Sequence, residues 1–136
     1  MTIRQLITDA LRMLSVLDAS QSVNAEDAAL GLSELNDLMS DLNQDGVDIG
    51  YVAQTNVSNN FPCSDAEAAQ IKPMLAMRLY TYYPSASMPQ TLAVRAENAL
   101  KQLLRDAVLQ NMEEASMTNI PLGEGYQRSS SILTDD

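Results

Sequence analysis

The chain has 136 residues and a formal net charge of −10, a size that suits one domain whose core needs neither disulfide nor metal. Its single cysteine, Cys63, permits no internal disulfide, and the lack of histidine removes the usual residue of zinc sites and catalytic triads. With 18 acidic against 8 basic residues, it lacks the basic face that sequence-specific DNA binding draws on.

The first helix is predicted from Ile3, Leu6, Ile7, Ala10, Leu11, Met13, Leu14 and Leu17, whose steps of three and four describe one buried stripe. Thr2 and Gln5 form a capping-box pattern ahead of it. Because Met1-Thr2-Ile3-Arg4 leads straight into this helix and no apolar run approaches a membrane span, neither secretion nor membrane insertion is expected. Asp18 to Ser22 reads as a turn.

Asn24 is the expected N-cap of a second helix from Ala25 to about Asn43, with Glu26 and Asp27 at the positive end of its dipole. Its stripe is Ala28, Leu32, Leu35, Leu38, Met39 and Leu42. Gly31 marks a close approach of another helix, and Gly46 a C-terminal stop. Tyr51 to Val57 then alternates with period two, which predicts a short strand in residues 47–62. A lone strand needs a partner, so the pattern also hints at oligomerisation.

Ser64 and Glu67 form a second capping box, and Ala68, Ile71, Leu75, Leu79 and Tyr82 follow at helical spacing. Pro73 predicts a kink, or a helix starting near it. After a loop from Pro84 to Pro89, a fourth helix begins at Pro89 or Gln90, with Leu92, Ala96, Ala99, Leu100, Leu103, Ala107 and Val108 on its buried side. Beyond about Met112 the periodicity dissolves. The expected fold class is mainly α: a small four-helix bundle with a short β excursion between helices 2 and 3. The expected organisation is a helical domain of residues 1–111 and an extended, partner-ordered tail of residues 112–136.

Candidate chemistry is sparse. Asp41-Leu42-Asn43-Gln44-Asp45-Gly46 matches the first half of a calcium loop, but position twelve is Val52 where a bidentate Glu belongs. A frayed acidic helix end is the preferred reading. Adjacent pairs Glu26/Asp27 and Glu113/Glu114 point in different directions on a helix and make no glycosidase dyad. Cys63 has no base to activate it. Tyr80, Tyr82 and Tyr83 with Met74, Met77 and Met88 read first as core filling, and second as an adhesive assembly surface. Arg95, Lys101 and Arg105 concentrate positive charge in helix 4, either solvated or docked on an acidic neighbour. In the tail, Ile120, Leu122, Tyr126, Ile132 and Leu133 are candidate docking residues.

The order Thr2-Ile3 with Leu6-Ile7, Asn24-Ala25-Glu26-Asp27-Ala28, Leu35-Asn36-Asp37-Leu38-Met39, Gly46 and Leu75-Ala76-Met77-Arg78-Leu79 resembles the head-to-tail adaptors of short-tailed phages. These are also called tail accessory factors or packaged-DNA stabilisation proteins. The likeness runs over roughly residues 2–110. Two departures from the family pattern are a short 47–62 excursion and the lack of a tryptophan after helix 2.

The resemblance implies a structural virion protein with no enzymatic centre and no cofactor. Such a protein binds the dodecameric portal ring, extends the DNA channel, helps retain packaged DNA and gives the next tail component its platform. Its partners would be the portal, neighbouring adaptor subunits in a twelve-fold ring, and the nozzle or tube. Its location would be the head-tail junction, reached from the host cytoplasm during assembly. Twelve copies would place about −120 formal charges around one channel, which a duplex would pass without sticking. A head-completion connector of a long-tailed phage is the near alternative. An acidic helical regulator or a cell-wall hydrolase are alternatives of other classes.

Overall fold

A computed structural model describes residues 1–119. It contains four helices: α1 (Ile3–Met13), α2 (Ala25–Gln44), α3 (Asp65–Leu79, continued by a 3-10 turn at Tyr80–Tyr82) and α4 (Gln90–Asn119). α3 is the hub, packing against α1, α2 and α4. The core is one apolar cluster, with Ile3, Leu6, Ile7 and Leu11 of α1, Leu35 of α2, and Ile71, Leu75 and Leu79 of α3 fully shielded from water.

The helix starts form as their sequences dictate. The Gln5 amide donates to the Thr2 hydroxyl at 3.2 Å, and the Thr2 amide to the Gln5 side chain at 2.8 Å. Ser64 and Glu67 repeat that exchange at 3.2 and 2.9 Å, and the Asp27 amide donates to Asn24 at 2.8 Å. Each cap satisfies an amide that the helix itself leaves unpaired. Gly31 sits where α2 crosses α1: a Cβ there would lie 2.5 Å from the Ile7 Cγ2 atom, so the helix tolerates glycine's poor propensity to bring the backbones together.

Three expectations are corrected. α1 stops at Met13 rather than Leu17, because Ser15 turns the chain at a φ of 61°. Of the two outcomes expected at Pro73, a helix starting near it is overturned: α3 starts at Asp65, where its capping box predicts, and runs through the buried proline. No strand occurs among the described residues, and the alternating segment is irregular. Its carbonyls are used elsewhere: the Ile3 amide donates to Asn59 at 3.0 Å and the Arg4 amide to Val57 at 2.9 Å, while the Phe61 amide donates to Met1 at 2.9 Å. Residues 57–61 thereby fill the unpaired first-turn donors of α1, leaving a single antiparallel bridge between Thr2 and Asn60. Without a strand there is no unmet ladder among the described residues to call for a second chain.

α4 continues helical through Met112 to Asn119, and residues 120–136 of the expected tail lie outside the described residues.

Candidate functional site

Among the described residues no group of His, Cys, Asp and Glu is placed to hold a metal ion, and the candidate site is a set of surfaces. The calcium-like hexapeptide is helical up to Gln44, with Asp45 as the C-cap. Asp41 is held by Arg78, whose guanidinium also lies 3.5 Å from Glu34. Asp27 of the first carboxylate pair accepts a bond from the Tyr83 hydroxyl at 2.9 Å. Glu113 and Glu114 lie outside the described side chains. Burial, followed by the nearby Glu67 charge, pushes the Cys63 thiol up to about 11, so the thiol stays protonated and weakly nucleophilic at neutral pH.

The Tyr and Met residues do not act as one group. Met74 belongs to the core, whereas Met77, Tyr80 and Tyr82 are exposed. Tyr82 donates to Glu34 at 3.0 Å, and that bond raises its pKa. Burial and then the bond to Asp27 raise that of Tyr83. Both phenols strap the 3-10 turn to α2.

Sequence reasoning missed Asn36 as a clasp. Its side-chain oxygen accepts from the Tyr51 hydroxyl at 2.6 Å and the Gln54 amide at 3.1 Å, and its amide donates to the Gln54 carbonyl at 2.9 Å. One α2 side chain thus fixes the loop that carries no regular structure. Tyr51 also meets Phe61 at a centroid distance of 5.8 Å. The signal was present: Asn is an unusual choice beside Leu35 in a helix interior.

The three cations of α4 are all exposed, and none makes an ion pair with a described carboxylate. Arg95 faces a recess it shares with Ala69, Gln70 and Pro73 of α3 and with Gln102 of its own helix. Lys101 and Arg105 follow one turn apart, and Arg105 donates to the Gln102 side chain at 2.8 Å. Steps of four, three and four carry the same outer face from Lys101 through Arg105 and Val108 to Met112. Val108, Leu109 and Met112 are 56%, 56% and 62% exposed. Val108, expected on the buried stripe, is thus exposed, and the row it forms was missed because the sequence pattern alone did not show which side of α4 the body would leave uncovered. Ile120, Leu122, Tyr126, Ile132 and Leu133 lie outside the described residues.

A second missed feature is an open, apolar groove of about 450 Å³ where three helices meet. Leu38, Met74, Met77, Ala93, Ala96 and Leu100 line it, with Glu97 at its edge.

No described helix is long and apolar enough to cross a membrane. A comparison with curated proteins found no match. A comparison with protein families found one whose description is P22 tail accessory factor, matching residues 1–132. That span takes in the whole helical body, including the capped helix starts, Gly31, the Asn36 clasp and α4. The chain therefore belongs to the P22 tail accessory factor family, and its role is the structural, tail-associated one of that family.

Proposed function

We propose that this protein is a head-to-tail adaptor: it binds the portal ring, extends the DNA channel, helps retain the packaged genome and presents a platform to the next tail component. The observation that carries this reading is the family match over residues 1–132. It is supported by surfaces suited to assembly, with exposed apolar side chains along α4. The charge of −10 per chain favours a channel wall that repels the duplex and lets it slide.

In this reading the subunits sit side by side at the head-tail junction, twelve to a ring. Ile120, Leu122, Tyr126, Ile132 and Leu133 contact the portal or a neighbouring subunit. Native mass spectrometry of the protein alone and mixed with its portal ring tests the proposal. A ring-stoichiometric complex is the expected result, and a chain that ignores the portal overturns it. Removing residues 120–136 leaves α4 whole and should preserve the helical circular dichroism signal while portal binding is lost.

A further inference from the structure

We propose that the outer face of α4 in one subunit seats in the Met74–Met77 groove of the next, joining copies head to tail. The inference rests on the adaptor reading and names the contact between neighbouring subunits.

The groove and its occupant are both apolar and both uncovered. Met77 is 38% exposed at the groove, and Val108, Leu109 and Met112 are all more than half exposed. Thioether side chains adapt to an incoming surface, and a volume of about 450 Å³ falls in the range of clefts that receive side chains or small ligands.

A chain cannot fill its own groove with this face. Ala93, Ala96 and Leu100 of the groove lie on the same helix as Val108 and Met112. At 1.5 Å per residue, the two sets are separated by roughly 12–28 Å along one rod. The occupant is therefore another copy.

Charge favours the same pairing. Lys101 and Arg105 precede the apolar row on its own face, and neither has a described carboxylate partner. At the groove, Glu97 has no described cation partner, whereas Asp41, one turn along α2 from Leu38, is already held by Arg78. Cations beside the row meet Glu97 beside the groove, which fixes register more than it adds affinity. Because face and groove are different surfaces, the contact is heterologous, and repetition of a heterologous contact gives a ring when the rotation between copies closes and a filament when it does not.

The test uses full-length protein with Cys63→Ser, carrying Met77→Cys on one chain and Met112→Cys on another. The two are mixed on the portal ring and oxidised, with Ala66→Cys replacing Met77→Cys as the control. The expected result is a disulfide-linked heterodimer several-fold above the control, and a ladder of linked subunits when one chain carries both cysteines. A ring that assembles with cross-linking no higher than the control overturns the docking and leaves the adaptor reading intact. Failure to join the ring at all defeats the adaptor reading. The same two variants mixed at millimolar concentration without portal then decide the docking: a linked heterodimer supports it, and none overturns it. Protection of Met77→Cys from maleimide in the monomer, lost on removing residues 120–136, also overturns it by seating the chain's own C-terminal residues in the groove.

Discussion

At the end of α2, the Val47 amide donates to Leu42 at 2.9 Å and the Gly46 amide to Asn43 at 3.1 Å; at the end of α1, Val16 donates to Leu11 and Ser15 to Arg12, both at 3.1 Å. The two helices close with the same pair of reversed bonds, which needs a residue with positive φ just past the cap. α2 supplies glycine there, at +94°, whereas α1 supplies serine at 61°. Around Ser15 the tertiary structure does what glycine does locally. Leu14 is fully buried, its carbonyl accepts from the Ser87 amide at 2.8 Å, and Val16 and Leu17 pack on the core. A helix can thus be stopped by its own sequence or by what its end is fastened to.

The strongest way to break this contrast is to truncate the two cap positions. Leu14→Ala should cost about 2–5 kcal/mol by urea denaturation, the loss typical of a buried leucine. Asp45→Ala, at the exposed end of α2, should stay within about 0.5 kcal/mol. Equal effects would show that both ends are locally made.

Next in size is Gly46→Ala. A Cβ there meets nothing within 4 Å, so only backbone strain acts, and a loss of about 1–2 kcal/mol is expected. Ser15→Gly runs the other way. It should raise stability by up to about 1 kcal/mol, read as a higher thermal midpoint, because relief of the strained serine exceeds the added chain entropy. A destabilised Ser15→Gly protein would mean that the hydroxyl, not the backbone, holds the turn.

The smallest effect belongs to the loop into which α2 opens, which has no counterpart after α1. There the chain enters the Tyr51 clasp, where burial first, and then the nearby Cys63, raises the phenol from 10.0 to about 12. Burial likewise raises the Cys63 thiol from 9.0 to about 11. In both, the folded state favours the protonated form, so their contribution is complete below the ordinary values and is lost as pH rises through the shifted ones. Urea midpoints should be level from pH 7 to about 9 and fall towards pH 12. Tyr51→Phe should flatten the upper part of that fall.

The contrast also explains what the sequence made legible. Thr2 with Gln5, Asn24, Ser64 with Glu67, Gly31 and Gly46 all act over one helical turn or one crossing, and their residue types announce the job. Ser15 announces nothing, since its conformation is set by Leu14 and Ser87. The period-two pattern of residues 51–57 misled for a related reason: the carbonyls of Val57 and Asn59 are taken by amides more than fifty positions earlier. The α4 cations were legible as residues but not as surfaces. Helical spacing relates Arg95, Lys101 and Arg105 to one another, but which side of α4 rests on α3 comes only from the packing. The groove was hidden because it takes one side chain from α2, two from α3 and three from α4 to build.

The bonds that fasten residues 57–61 to the start of α1 have a consequence for the order of events in folding. The first turn of α1 cannot complete its amide bonding until a segment more than fifty residues later has arrived, so its closure carries the entropy cost of a long loop. The Ile3, Arg4 and Phe61 amides should then exchange hydrogen together, in one cooperative opening, while the middle of α1 stays protected. The N-terminal turn and the loop behave as a single latch, shut late and opened as a unit.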